Sequence, residues 1–303
     1  MRVLVINCGS SSIKYQLYGA SVGQVLAEGI VARIGEEGSY LKHQAKGEEL
    51  RKETSVPSHR KGFELIVESL LHREHGVLDD IAEVSAVGHR TVHGGDAFIE
   101  STLITEEVVA KMEECIPLAP LHNPPNLLGI REARRILPHV PHVAVFDTAF
   151  HQTMPQRAYL YGLPYEYYQT HKIRRYGFHG TSCRFMSQRA ADLLRKPLKE
   201  LKMILCHLGN GVTVAAVEGG KSIDTSMGLT PLEGLIMGTR SGDLDPGVIF
   251  YLHRQVGLSI DRIDSLLNKE SGLLGVSGAS NDMREIIEKA DAVSWPSRSL
   301  PTG

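Results

Sequence analysis

The sequence predicts a duplicated α/β fold with a cleft between its halves. Three observations point there. Two stretches 200 residues apart share one pattern: "VLVINCGSSSIKYQLY" from residue 3 and "MILCHLGNGVTVAAVE" from residue 203 each read as an apolar strand, a Gly-rich bend and a second strand. Internal repeats of this kind expose architecture. Strand-like runs alternate with segments of helical period, the pattern of layered α/β proteins. The chain has 303 residues, 42% of them hydrophobic, enough for a large core divided between two domains. The expected division is 1–150 and 151–303.

Each element follows from local pattern. "VLVIN" and "KYQLY" are strands around a Gly/Ser turn. "GFELIVESLLHREHG" has apolar residues at helical spacing and is expected to end at Gly76. "VSAVGHRTVHGG" is a buried strand running into a Gly-rich bend. "ITEEVVAKMEECIPLAPLHNPPN" begins as a helix with an acidic first turn, stops at Pro117, and continues as a Pro-rich loop. "NLLGIREARRIL" is the next helix, and "HVAVFDTAFHQTMP" is a strand that delivers Asp147 at its C-terminal end. In the second block, "SCRFMSQRAADLLR" is a helix, residues 202–228 are strands with Gly turns, and "DPGVIFYLHRQVG" and "SIDRIDSLLNKESG" are helices.

Composition narrows the function. Lys and Arg total 33 against 35 Asp and Glu, so the net charge is -2. Neither a nucleic-acid partner nor a polybasic membrane patch is indicated. The four cysteines, at 8, 115, 183 and 206, form no C-x-x-C pair, as expected of a reduced, cytoplasmic chain. His72 and His75 lie close, but no acidic or thiol partner completes a zinc pattern. No apolar run reaches the roughly 20 residues of a membrane span.

The bend "NCGSSSIK" combines converging backbone N–H groups, three hydroxyls and the Lys14 point charge, a set suited to phosphate. "HLGNG", with His207, Gly209, Asn210 and Gly211, is its echo and would cradle phosphates from the other side. Between them lie Arg90 in "GHRTVHGG", His122 in "PLAPLHNPPN", Asp147 in "AVFDTAFH", His179 in "RRYGFHGTS" and Arg240 in "MGTRSGDLDPG". Each has a structural alternative: a histidine satisfied by backbone, an arginine in a surface ion pair, a capping aspartate. As a set they suit phosphoryl transfer, which depends on positioning and charge neutralisation.

These motifs closely resemble those of acetate kinases, within the superfamily that holds sugar kinases, heat-shock chaperones and actin. "VLVINCGSSSIKY", "VGHRTVHGG", "APLHNPPN", "VFDTAFH", "YGFHGTS", "HLGNG" and "GTRSGDLDPG" match in order and spacing over roughly residues 1 to 290. The resemblance implies duplicated actin-like ATPase (ribonuclease H-like) domains around an interdomain cleft. It implies transfer of the γ-phosphate of ATP to acetate, reversibly, giving acetyl phosphate and ADP, with Mg2+ or Mn2+. Asn7, Ser10, Ser12 and Lys14 would form the first phosphate-side loop, with Asn7 near the metal. Arg90 and Arg240 would hold the acetate carboxylate, His179 would bond the transferring phosphoryl group, and Asp147 would position the metal or Arg240. His122 would support the site and Asn210 would contact nucleotide phosphates. Val92, Leu121, Phe178 and Pro231 would contact the acetate methyl, and Val92 favours acetate over propionate. The alternatives are a propionate or butyrate kinase, an inactive remnant, and a chaperone-like or sugar-kinase ATPase, against which the two arginines argue.

Family members are homodimers and continue on the order of a hundred residues further, about a small domain. That stretch carries a "GGIGEN"-type adenosine motif, a glutamate near the metal and much of the dimer interface. The second domain is therefore expected to be incomplete, with weak nucleotide binding and little activity if the chain ends at 303. The tail 293–303, "VSWPSRSLPTG", departs from the family pattern and is expected to be aberrant, the product of a frameshift near residue 292.

Overall fold

Strands β1 (Val3–Cys8) and β2 (Ser12–Tyr18) make the antiparallel hairpin on which the first unit is built. The structure, a computed structural model, describes residues 1–19 and 23–292. The tail expectation for 293–303 lies outside the described residues. Two compact units are present, Met1–Gln152 and a second beginning at Thr153.

In the first unit β3 (Val25–Ala32), β4 (Tyr40–Ala45) and β5 (Glu48–Glu53) extend the hairpin as an antiparallel meander. After helix α1 (His59–Leu70) the chain adds β6 (Ala86–Thr91), β7 (Thr102–Leu103), α2 (Glu106–Glu114), α3 (Asn123–Ile136) and β8 (His142–Phe146). The sheet order is β5-β4-β3-β2-β1-β6-β8-β7. β1, β6 and β8 run parallel, so all three end at the same edge of the sheet.

Period-two alternation buries Leu4, Ile6, Cys8, Ile13, Tyr15 and Leu17 on one face, where Phe63, Ile66 and Leu70 of α1 cover them. Each large apolar side chain fully buried there stabilises by about 1.5–3 kcal/mol. Gly129 lets α3 cross β1 closely: a Cβ there would lie 2.6 Å from Cys8 Cβ. Behind the parallel strands, His142 Nε2 donates to Leu137 O at 2.9 Å, so its Nδ1 accepts from His89 Nε2 at 3.0 Å. Burial holds His89 down to about 3 and lowers His142, so the pair is neutral.

Two boundaries differ from expectation. α1 begins earlier, at His59 behind a Ser58 cap whose Oγ accepts from Lys61 N at 3.3 Å, and it stops at Leu70 rather than Gly76. His72, Arg73, Glu74 and His75 offer no apolar face to bury, and the chain turns back so that Val77 N donates to Leu70 O at 2.9 Å. The end of the expected Pro-rich loop is instead the start of α3: Asn123 opens the helix and Pro124 and Pro125 fall in its first turn, where a missing N–H and a fixed φ are favourable.

The second unit contains α4 (Gln156–Tyr159), α5 (Tyr165–His171), α6 (Gly180–Leu194) and the antiparallel strands β9 (Lys202–Leu208), β10 (Val212–Glu218) and β11 (Lys221–Thr225). Helices α7 (Pro246–Arg254), α8 (Ile260–Lys269), α9 (Gly272–Ser277) and α10 (Met283–Ala292) follow.

The repeat at offset 200 is real at the level of hairpins, with one correction. The first pairs Cys8 with Ile13 and Asn7 with Lys14, whereas the second pairs Leu208 with Val212 and His207 with Thr213. The second bend is one residue shorter. Past the bend the equivalence is therefore offset by one, and a one-residue slip exchanges faces. Thr213, not Val214, stands where Lys14 stands in the first hairpin.

Candidate active site

Three parallel strands deliver one polar cluster in the first unit. Asn7 sits at the end of β1, Arg90 at the end of β6, and Asp147 directly after β8. Carboxyl ends of adjacent parallel strands are where α/β sheets place ligand sites. Asp147 N donates to Thr91 O at 2.9 Å, which continues the β6–β8 ladder and fixes the carboxylate. Arg90 donates from Nε at 3.2 Å and Nη2 at 2.6 Å to Asp147 Oδ2, and from Nη1 at 3.2 Å to Asn7 Oδ1. Asp147 is 3% exposed in its side chain and Arg90 38%, so the buried carboxylate anchors a guanidinium that still reaches solvent.

The loop next to this cluster is pinned from three sides. Gly9 N donates to Ser12 O at 2.8 Å and closes the bend, Ile34 N donates to Ser11 O at 2.9 Å, and His59 Nε2 donates to Gly9 O at 2.8 Å. Ser10 and Lys14 are exposed and Ser12 is half-buried, so the hydroxyl-and-lysine bend faces solvent as a phosphate cradle would. Two buried asparagines of α3 hold the neighbouring strand end. Asn126 accepts from Val92 N at 2.9 Å and donates to Cys8 O at 2.7 Å, while Asn123 accepts from His93 N at 3.2 Å and donates to His93 O at 3.0 Å. Sequence reading passed over Asn123, Asn126 and His59. The two asparagines, three apart in "NPPN", were the available signal. His122 immediately precedes α3, Val92 is buried, and Leu121 is 57% exposed.

The second unit builds a cluster around α6 and the short bend. His179 adopts left-handed backbone (φ 57°, ψ 22°) immediately before Gly180, the start of α6. A non-glycine residue held there carries about 1–3 kcal/mol of strain, a feature concentrated at functional sites. Its ring stacks on His207 with centroids 4.0 Å apart and planes 17° apart. Its Nδ1 lies 2.8 Å from Thr213 Oγ1, and His207 Nδ1 lies 3.0 Å from Ser182 Oγ. Gly211 leaves room for the site: a Cβ there would press on His179 Cε1 at 3.1 Å and on Arg240 Nη1 at 3.3 Å. Gly209 N donates to Gly211 O at 3.1 Å and closes the bend. Asn210 Oδ1 accepts from Asn281 at 2.9 Å, and its carbonyl accepts from Gly238 N at 3.0 Å. Phe178 is 2% exposed.

Arg240 differs from Arg90. Its Nη1 donates to Pro231 O at 3.4 Å, and among the described residues no carboxylate pairs with it. Burial without a counter-ion pulls its pKa below the usual arginine value, although the group remains a cation. A partly desolvated guanidinium binds an anion more strongly than one in water does.

The donors do not make a resident metal site. Among the described residues no group of three or more His, Cys, Asp or Glu side chains could hold a metal ion. Asn7 Oδ1 and both Asp147 oxygens already accept from Arg90. A divalent ion beside that guanidinium would be repelled, which disfavours the expected role of Asn7 as a metal ligand. A metal fits here as part of a nucleotide substrate, carried on its phosphates.

Residues 2–297 match the sequence profile of the acetokinase family. The chain belongs to that family. An acetate kinase of Natranaerobius thermophilus is 58% identical over 291 residues, covering 96% of this chain and 73% of that relative. Among solved structures, acetate kinase of Porphyromonas gingivalis matches with TM-score 0.90 at 50% identity, over 96% of this chain and 73% of that one. A propionate kinase from Francisella tularensis matches with TM-score 0.90 at 44% identity over the same shares. This acetokinase therefore has the α/β fold of those structures. Among its described residues no helix is long and apolar enough to cross a membrane.

Proposed function

We propose that this acetokinase catalyses reversible transfer of the γ-phosphate of ATP to acetate, forming acetyl phosphate and ADP. The observation that carries the reading is Arg240, a partly buried cation with no carboxylate partner among the described residues. Acetate is ionised at pH 7, so it attacks without a general base. The difficulty is bringing one anion to another. In this reading Arg240 holds the acetate carboxylate and opposes that repulsion, and Arg90, fixed by Asp147, adds the second charge. The acetate oxygen forms a bond to γ-phosphorus as the bond to the bridging oxygen breaks, and ADP leaves with the electron pair. His179 hydrogen-bonds the phosphoryl group in flight. Ser10, Ser12 and Lys14 on one bend, and His207, Gly209, Asn210 and Gly211 on the other, contact the nucleotide phosphates.

Mg2+ or Mn2+ enters as the metal of the metal–ATP substrate. Val92, Leu121, Phe178 and Pro231 contact the acetate methyl. The family resemblance supports a cytoplasmic homodimer without a nucleic-acid or membrane partner. ADP release from Mg–ATP measured with acetate, propionate and butyrate tests the substrate. The expected order of kcat/KM is acetate first, with propionate lower by about 10- to 200-fold, the discrimination of one methylene. Propionate above acetate would assign the chain to propionate instead, and release indifferent to any acid would reject the reading.

A further inference from the structure

We propose that Thr213 is a positioning residue that holds His179 in its neutral Nε2–H tautomer, so that the ring presents a hydrogen-bond donor to the phosphoryl group. The inference rests on the proposed role of His179 and deepens it. Thr213 is fully buried, and among the described residues the partner of its hydroxyl is His179 Nδ1, at 2.8 Å. A buried hydroxyl has one proton to place. If Thr213 accepted from an Nδ1–H, that proton would be stranded in the interior, which is unfavourable. If it donates to the Nδ1 lone pair, both atoms are satisfied and the ring proton sits on Nε2.

Two further observations agree. A Cβ on Gly211 would lie 3.4 Å from His179 Nε2 and 3.3 Å from Arg240 Nη1, so Nε2 faces the bend and the arginine while Nδ1 faces Thr213. His207 stacks on the same ring at 4.0 Å, and two imidazolium cations in that arrangement would repel. A neutral donor also suits its neighbourhood, since Arg240 already supplies the positive charge. The register correction explains why this residue was hidden: the shorter second bend moves Thr213, rather than Val214, onto the inner face opposite His207.

The test combines spectroscopy with kinetics on the full chain. In histidine-selective 15N spectra, His179 is expected to show a protonated Nε2 and a hydrogen-bonded, unprotonated Nδ1. Thr213→Val should shift the Nδ1 resonance and lower kcat roughly 10- to 100-fold, the scale of a misplaced catalytic group, with KM for acetate within about threefold. Thr213→Ser should restore both the Nδ1 resonance and kcat. A spectrum showing Nδ1–H in the unsubstituted chain overturns the proposal, as does a Thr213→Val chain with unchanged kcat. The spectra also separate the two ideas: the Nε2–H signature in a chain that does not phosphorylate acetate would keep the Thr213 assignment and reject the phosphotransfer reading.

Discussion

Replacing Asn126, which is itself assigned no substrate contact, with alanine should loosen the strand end that carries Val92. Asn126 is 5% exposed and makes two hydrogen bonds, from Val92 N at 2.9 Å and to Cys8 O at 2.7 Å. The alanine variant leaves a buried N–H and a buried C=O unpaired. Each orphaned group costs about 1–3 kcal/mol, so the local loss is about 2–4 kcal/mol after partial relaxation. The chain has two compact units, so one global unfolding free energy is a poor readout, and the Val92 amide is a better one. Its hydrogen exchange should accelerate by roughly 30-fold for about 2 kcal/mol, and by more at the upper end. Amides in β9 and β10 should be unchanged, because they lie in the other unit. Val92 exchange that rises less than about threefold would show that the clamp is not what holds this strand end.

Three other outcomes follow from the same structure. Burial pulls His89 down to about 3 and His93 down to about 4, so at pH between those values and about 6.5 the unfolded chain binds protons that the folded chain does not. Stability of the first unit should therefore fall as pH drops from about 6.5 toward 3, and a urea midpoint that stays level between pH 7 and 5 would contradict this. Gly129→Ala places a Cβ 2.6 Å from Cys8 Cβ and should destabilise by about 1–3 kcal/mol, seen as a lower Tm of the first unit. Asp147→Asn removes the charge that anchors Arg90 and should lower kcat/KM for acetate about 100-fold, with the far-ultraviolet circular dichroism retained.

Much of the architecture was legible because it is written in short-range pattern. The alternation in β1 and β2, the Gly bends and the helical period of α6 follow from residues close in sequence. What escaped depends on groups distant in the chain. The Arg90–Asp147–Asn7 cluster needs three parallel strands in register, and no spacing reveals that Asn7 Oδ1 serves Arg90. The prolines at 124 and 125 look like loop residues until Asn123 and Asn126 are seen capturing the end of β6. Gly76 resembled a helix end, but the polar run before it had nothing to bury. Thr213 was obscured because a one-residue difference in bend length cannot be read from the Gly9–Gly209 alignment alone.

In the proposed reaction this chain moves a phosphoryl group to acetate, and Arg240 makes the acetate site. The direct measurement is acetate-dependent formation of acetyl phosphate from Mg–ATP, comparing the chain with its Arg240→Ala variant. Product is expected only when acetate is present, with a loss of at least about 100-fold in kcat/KM in the variant, the effect of removing a charged transition-state contact. Equal turnover by the two proteins, or phosphate release that ignores acetate, would contradict it.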